Sequence, residues 1–283
     1  MMRDMFCEFG VYMKNVLADL SLIWSKRSLI WELSKADFKK KFVGSYFGIL
    51  WMFVQPIVTV VIYYIVFGVL RGDIAAEMTE QYPYLLWMLG GIVPWFFFQD
   101  ALNGGTHSLN EYHYLVKKVV FPINLLPAIK IFSAIFIHLI FSLILLAVYL
   151  IMGQTPSLYW IQLPYYSLGV GLLCLGLSYI TSSVMVFFKD MAQIVNIILQ
   201  FGIWVTPIMW NYEMAGKWAG VLRINPMFYV AEGMRGALLY EQWFWQQPGG
   251  VMYTLYFWAF TLGVLLLGAG MFRKLRPHFA DVL

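Results

Sequence analysis

The stretch that decides the fold is residues 121–152, FPINLLPAIKIFSAIFIHLIFSLILLAVYLIM. It contains no acidic residue, and its only basic side chains are Lys130 and His138. A bilayer core about 30 Å thick is crossed by a helix of about 20 apolar residues, so this stretch is long enough to span a membrane. The chain is therefore predicted to be an integral membrane protein.

The whole chain has the composition of a membrane protein. Of its 283 residues, 61% are hydrophobic and only 12% are charged, whereas soluble domains have about 25% charged residues. Five more apolar stretches of spanning length lie before and after 121–152, at 46–70, 84–105, 164–187, 190–211 and 250–272. We predict an all-α fold in which 46–283 forms one transmembrane domain with six transmembrane helices.

The distribution of lysine and arginine predicts the orientation of the chain. These residues are concentrated before the first span, between the second and third, and after the sixth, and all three segments fall on one side if six spans are present. Cytoplasmic segments carry the excess of Lys and Arg. Residues 1–45 and the carboxyl terminus are therefore both predicted to be cytoplasmic.

The segment 21–41 is predicted to be an amphipathic helix that lies in the membrane interface. An apolar arc at helical spacing is interrupted by Lys26, and many lysines occupy the other face. This arrangement is typical of helices that lie among lipid headgroups or face a cytoplasmic partner. The arc consists of Leu22, Ile23, Leu29, Ile30, Leu33 and Ala36.

The outer segment 216–245 is predicted to form two short helices that dip into the membrane without crossing it. Neither of its apolar stretches is long enough to cross, and non-helical backbone at membrane depth must pack against protein or face water. Glu232 and Arg235 are spaced to pair on one helix face, where we expect an ordinary surface pair. The residues singled out in this segment are Trp218, Asn225, Pro226, Glu232 and Arg235.

Several kinds of chemistry are missing from the sequence. It has no phosphate-binding Gly-x-x-x-x-Gly-Lys-Ser/Thr motif, so the chain is not expected to hydrolyse ATP alone, and no catalytic or metal site is predicted. An ion-coupled carrier needs ionisable groups inside its helices. The middle spans offer Asp100, expected to be solvated near the inner interface, Lys130, expected to extend toward the headgroups, and His138.

Aromatic residues make up 19% of the chain, and many lie within the predicted spans. Most are expected to serve packing and interface belts. The alternative is a channel lined by rings, on whose faces the C–H surfaces of sugars slide without a charged binding site. The candidates for such a lining are Trp51, Tyr63, Tyr64, Trp95, Phe96, Phe97 and Trp204.

Five short motifs, taken in order, carry a resemblance over essentially the whole chain. They are GSYFGILW at 44–51 with Gln55-Pro56, LVKKVVFP at 115–122 with Leu126-Pro127, Lys189-Asp190, Thr206-Pro207-Ile208, and Asn225-Pro226-Met227. Together they resemble the membrane subunit of ABC-2 type exporters of cell-surface polysaccharides. The stretches 230–243 and 279–283 look most like the wall teichoic acid permeases of that family, whereas O-antigen and capsule permeases share the layout.

The resemblance implies a transport complex in a bacterial cell membrane. Two copies of this chain would form a pore for a lipid-linked anionic polymer, and two copies of a separate ATPase would bind ATP and Mg²⁺. The helix 21–41 and a coupling helix at 106–118 would meet the ATPase, and 216–245 would be a re-entrant pair near the exit. No nucleic acid is expected as a partner. The implied contacts with the ATPase are Lys26, Arg27, Glu111, Tyr112, His113, Tyr114, Leu115, Lys117 and Lys118.

Two other functional classes are open at this stage. A membrane-embedded enzyme acting on lipid-linked sugars would need converging acid, base or metal groups, and the cytoplasmic candidates are Asp100, His107, Glu111 and His113. An ion-coupled carrier would lose its activity when ionophores dissipate the ion gradient. Strict dependence on ATP would distinguish an exporter from both.

Overall fold

The computed structural model describes residues 13, 16–44, 46–70, 82–117 and 121–283, and within them it is all-helical, as predicted. The chain begins with α1 (Val16–Ser25) and α2 (Arg27–Lys40). Next come the long helices α3 (Trp51–Tyr63), α4 (Tyr84–Glu111), α6 (Leu125–Ile151) and α7 (Leu163–Phe187), with the single turn α5 (His113–Val116) between α4 and α6. The remaining helices are α8 (Met191–Val205), α9 (Ala219–Leu222), α10 (Pro226–Leu238), α11 (Gly250–Leu275) and α12 (Phe279–Val282).

Five helical stretches are long and apolar enough to cross a membrane, and they correspond to five of the six predicted spans. In the first, α3 is preceded by a 3₁₀ turn at Gly48–Leu50 and continued by a π-helix at Tyr64–Leu70. The five stretches are Gly48–Leu70, Tyr84–Glu111, Leu125–Ile151, Leu158–Phe187 and Gly250–Val282.

The predicted span 190–211 is the exception, because helix α8 has only 15 residues and ends at Val205. At 1.5 Å per residue it covers about 22 Å, less than the bilayer core. Thr206 is extended, with a ψ of 124°, because the following Pro207 disfavours the helical conformation in the residue before it. The prediction of one continuous helix over 190–211 is therefore wrong at its outer end.

Helix α4 is the centre of the bundle. It packs against α6, α7, α8 and α10. In its most apolar stretch of 18 residues, 78% of the residues are buried. Helices α7 and α11 also pack closely, because Gly176 and Gly268 bring their backbones together, as small residues do between membrane helices. In contrast, none of the residues in the most apolar 18-residue stretch of Gly48–Leu70 is buried, so α3 and its extensions pack only sparsely on the bundle.

The amino-terminal segment differs from the single amphipathic helix predicted over 21–41. It forms α1 and α2 with a break at Lys26, and the side of α2 that packs on α6 carries Ile30, Ser34 and Asp37. The Ser34 hydroxyl donates to the backbone oxygen of Ile129 at 3.0 Å. Polar side chains therefore fix α2 to the bundle, while Leu29 and Ala36 of the predicted apolar arc remain exposed.

The amino-terminal helices and the end of α11 lie at the same end of the bundle. Asp19 of α1 accepts hydrogen bonds from Arg273 at 2.9 Å and from the Asn124 side chain at 2.8 Å. The structure thus brings α1 and the end of α11 to one side of the bundle. Placement of that side in the cytoplasm stays a prediction.

Candidate functional site

A cavity of about 710 Å³ separates α3 from the bundle. Helix α3 forms one wall, and α4, α6 and α8 form the others, with Lys41 and Phe42 from the end of α2 completing the lining. The cavity exists because α3 packs sparsely on the bundle. Seven aromatic side chains line it, namely Phe42, Trp51, Tyr63, Phe96, Phe97, Phe141 and Trp204.

Five of the seven rings proposed from the sequence line this cavity: Trp51, Tyr63, Phe96, Phe97 and Trp204. The other two serve packing. Trp95 is only 2% exposed and fits against Gly202 of α8, where a Cβ atom would lie 2.7 Å from the indole ring. Tyr64 stacks on Tyr84 at 6.5 Å between ring centroids.

Three pairs of polar residues in the cavity were missed by the sequence analysis. Each pair lies on a different helix with a spacing of four residues, which places both side chains on one helix face. This i, i+4 spacing within otherwise apolar helices is the signal that would have found them. The pairs are Gln55 and Thr59 on α3, Gln99 and Asn103 on α4, and Asn196 and Gln200 on α8.

The lining of the cavity contains one ion pair. Lys41 donates to the two carboxylate oxygens of Asp100 at 3.0 and 2.9 Å, and the Asp100 side chain is still 37% exposed, so Asp100 is both paired and open to solvent. His138 also reaches the cavity, where its ring stacks on Phe97 at 4.5 Å and its Nε2 shares a hydrogen bond with the Ser167 hydroxyl. The lining is thus aromatic and amide-rich, and its one lysine is balanced by one carboxylate.

Lys130 does not extend to the headgroups, contrary to the prediction. Its side chain is 5% exposed and donates to Asp37 at 2.7 Å and to Glu111 at 2.5 Å. Tyr112 also donates to Asp37, at 2.8 Å. Burial raises the pKa of Asp37, but the hydrogen bond and the charge of Lys130 outweigh it and hold the pKa below its ordinary value. One buried network therefore joins α2, the end of α4 and the start of α6.

The residues proposed to contact an ATPase divide into two groups. Tyr112 belongs to the buried network, Glu111 reaches that network from an exposed position, and Leu115 is half-buried. The predicted helix 106–118 is not a separate element, because 106–111 continue α4 and only the turn α5 follows. Lys118 lies outside the described residues. The exposed members are Lys26, Arg27, His113, Tyr114 and Lys117.

The outer segment is anchored by Arg235, which is 0% exposed. Its guanidinium donates to the backbone oxygens of Trp87, Pro207 and Ile208 at 3.0, 2.8 and 2.9 Å. It also donates to Glu232 at 2.5 Å, so the predicted pair forms, but it is buried rather than at the surface. The structure thus ties α10 to α4 and to the turn that follows α8.

Helix α10 begins where the sequence signals it. Asn225 caps the helix by accepting from the Met227 amide at 3.0 Å, and Pro226 occupies the first turn. The Asn225 amide also donates to the Thr206 hydroxyl at 2.8 Å. A 3₁₀ helix at Tyr212–Trp218 and the turn α9 precede it in place of a second full helix, and Trp218 is 63% exposed.

The candidate groups for an enzyme do not converge. Asp100 pairs with Lys41, and Glu111 pairs with Lys130. His107 and His113 each make a hydrogen bond with a nearby backbone oxygen. Within the described part of the chain, no three His, Cys, Asp or Glu side chains are placed to hold a metal ion.

Comparison with known proteins places this bundle in a family. The family model described as ABC-2 type transporter matches residues 28–239, and the chain belongs to that family. It is therefore a multi-pass protein of a bacterial inner membrane, and ABC-2 permeases work with a separate ABC ATPase.

Among the relatives is an O-antigen export system permease protein RfbA of Klebsiella pneumoniae, 26% identical over 89% of this chain and 93% of the relative. Another of the same name, from Myxococcus xanthus, is 24% identical over 92% of this chain and 96% of the relative. These relatives favour the O-antigen alternative over the narrower resemblance to wall teichoic acid permeases.

Proposed function

We propose that this chain is the permease subunit of an ATP-driven exporter that moves a lipid-linked polysaccharide of the O-antigen type out of the cytoplasm. Two copies would form the pore, and two copies of a separate ATPase subunit would bind ATP and Mg²⁺. Both termini and the exposed faces of α2 and α5 would lie in the cytoplasm beside that ATPase. Helix α8 and the turn after it would complete the sixth crossing.

The lining of the large cavity is the observation that carries this proposal. Aromatic faces suit the C–H faces of sugar rings, and the three amide or hydroxyl pairs suit sugar hydroxyls without holding any one tightly. The lining offers no excess of positive charge, because Lys41 is paired with Asp100. A chain of neutral sugars therefore fits this surface better than a polymer with a phosphate in every repeat.

Wall teichoic acid is the second candidate, on the basis of the stretches 230–243 and 279–283. Neither stretch lines the large cavity. Two of their fully buried members, Arg235 and Phe279, pack within the fold. The likeness in these stretches therefore does not bear on the lining of the large cavity, which leaves the choice of polymer to experiment.

The test is export in inverted vesicles that contain this chain and its ATPase. We expect ATP-dependent uptake of a lipid-linked neutral polysaccharide, unaffected by ionophores, and much weaker uptake of lipid-linked poly(glycerol phosphate). Preference for the phosphate polymer would reverse the assignment. Uptake that needs no ATP would overturn the proposal altogether.

The cavity is tested by changing its amide pair on α8. The double variant Asn196→Leu/Gln200→Leu removes two hydrogen-bonding groups worth about 1 kcal/mol each, so export should fall about tenfold or more while assembly is unchanged. Gln193→Leu makes the same kind of chemical change at an exposed position of α8 outside the cavity lining and should export normally. Equal export by both proteins would remove the cavity from the pathway.

The aromatic lining is tested by a second comparison. Phe97→Ala should alter the export rate, because the ring faces the cavity. Trp95→Ala should instead lower the melting temperature, because the ring packs against α8. An unchanged export rate in Phe97→Ala would return that ring to a packing role.

A further inference from the structure

A second, smaller pocket of about 230 Å³ lies between the outer segment and the start of α11. Its volume is below the range of about 300–1,000 Å³ that drug-sized ligands occupy, so it suits one sugar ring rather than a polymer segment. Aromatic side chains supply much of its wall, namely Trp87, Tyr212, Phe228, Tyr229, Tyr240 and Tyr253.

The rings of this outer pocket are held in place by one another. Phe228 meets Tyr212 edge to face at 5.1 Å and Tyr253 at 6.3 Å. The Arg223 guanidinium lies over the rings of Tyr212 and Tyr253, at 5.0 and 5.6 Å from their centroids. These contacts fix the orientation of the wall before any ligand arrives, which lowers the entropic cost of binding.

Amide groups lie beside the rings. The Gln247 Nε2 atom is buried and has no hydrogen-bond partner within the described ranges. The backbone around Gln242 is rigid, because its carbonyl oxygen accepts from Gln162 at 2.9 Å, and the same Gln162 side chain accepts from the Phe244 amide. The Gln247 Nε2 atom packs against Gly236 of α10, whereas the half-buried Gln242 side chain lines the pocket and offers its amide to a sugar hydroxyl.

The charges around the pocket nearly cancel. The pocket is lined by two carboxylates, Glu213 and Glu232, and by one cation, Arg223. A second cation, Arg235, lies outside the lining and pairs with Glu232. An anionic ligand would therefore find no excess of positive charge here. Rings, a side-chain amide and balanced charge together describe a site for a neutral, polyhydroxylated ligand with an apolar face.

We propose that the outer pocket binds a single neutral sugar residue of the exported chain. The proposal rests on the function proposed above, which supplies both the saccharide and the placement of this pocket on the exit side. Its ligand would stack on Tyr253 and form a hydrogen bond with the Gln242 side-chain amide. Such a site inside each copy of the chain would hold a sugar residue that has already left the membrane and disfavour its return.

The experiment is saturation-transfer NMR on the full chain in lipid nanodiscs. The probes are methyl glycosides of glucose, galactose, mannose, rhamnose and N-acetylglucosamine, with sn-glycerol 3-phosphate as the anionic comparison. We expect transfer to at least one glycoside and a reduction of about fivefold or more in Tyr253→Ala, because a stacking contact is lost. Gln242→Ala removes the half-buried amide that lines the pocket and leaves the ring cluster unchanged, and it should also reduce the transfer.

The control is Trp245→Ala, which removes a half-exposed ring outside the pocket and should bind as the unchanged protein does. Transfer that is equal in all these proteins would place the sugar elsewhere and overturn the outer pocket while leaving the export function intact. No transfer to any glycoside, or stronger transfer to glycerol phosphate, would also overturn it. Loss of ATP-dependent export from the unchanged protein is a separate result that would count against the proposed function.

Discussion

Two buried cations lie at the two ends of the bundle, and their partners are of different kinds. Arg235, in the outer segment, donates to three backbone oxygens and one carboxylate, all fixed by helices or turns. Lys130, at the end of the bundle that holds α1 and the end of α11, bridges carboxylates on two other elements, Asp37 and Glu111. The first geometry locks one arrangement, whereas the second depends on charge and can be released by changing a side chain. The rigid attachment of α10 and the releasable attachment of α2 thus lie at opposite ends of the bundle.

The largest effect is expected from Arg235→Lys. A lysine cannot reproduce the forked geometry of a guanidinium, so backbone carbonyl groups are left unpaired in the interior. We expect a loss of about 3–5 kcal/mol and little monodisperse protein in size-exclusion chromatography. Arg276→Lys makes the same change at an exposed position and should behave normally. If both variants melt alike, Arg235 is not the anchor.

A smaller and more local effect is expected from Lys130→Met. The change leaves the Asp37 carboxylate buried without its cation, at a cost of about 3 kcal/mol, and Glu111 can be rehydrated because its side chain is 41% exposed. Hydrogen exchange should rise in α2 while α10 stays protected.

The increase in hydrogen exchange caused by Lys130→Met should be reversed when the Asp37 charge is removed as well. Adding Asp37→Asn to Lys130→Met removes the unpaired charge and should return much of the protection in α2. Lys117→Met serves as the exposed control. Exchange that rises throughout the bundle would contradict a local attachment.

The attachment of α2 should also depend on pH, with a definite sign. The folded pKa of Asp37 lies below its ordinary value of 3.8, so its contribution is present above that pH and is lost as the pH falls through the lowered pKa. Exchange in α2 should therefore be constant above about pH 4 and should rise below it. Asp37→Asn should remove this acid-dependent step, and an unchanged acid profile in that variant would assign the step to another group.

The smallest effect is expected at the Lys41 and Asp100 pair. Their side chains are 26% and 37% exposed, and such pairs contribute about 0.2–1 kcal/mol. A double-mutant cycle with Lys41→Ala and Asp100→Ala should show a coupling of that size that fades in high salt. A coupling well above 1 kcal/mol would mean that this pair belongs with the buried attachments.

The helices were largely predictable, whereas the environment of each charge was not. Helices α4, α6, α7 and α11 follow the apolar stretches, because hydrocarbon forces a chain to satisfy its backbone hydrogen bonds within each segment. The start of α10 was marked by the Asn225-Pro226 cap. The predicted environment of Lys130 was wrong, and the partner of Asp100 was not predicted. Both depend on residues at least 59 positions away, Lys41 for Asp100 and Asp37 for Lys130.

The candidate site shows the same division. Five lining rings were identified by residue type and position alone, since they sit in spans. Phe97 lines the cavity, whereas Trp95 packs against α8, because Gly202 of that helix leaves room for the Trp95 ring. This difference depends on another helix and was not predictable from the sequence. The polar pairs could have been read from their i, i+4 spacing, but their convergence from three helices could not.

By itself the sequence determined that the chain is a helical membrane protein, where most of its helices lie, and which family it resembles. Those properties follow from local apolar length and from short motifs, which are readable along one segment at a time. Only the tertiary structure decided that α3 stands away from the bundle, that polar residues of α2 face inward, and that the two buried cations have opposite kinds of partner. Each of these depends on contacts between segments distant in sequence, and a linear pattern does not encode which segments meet.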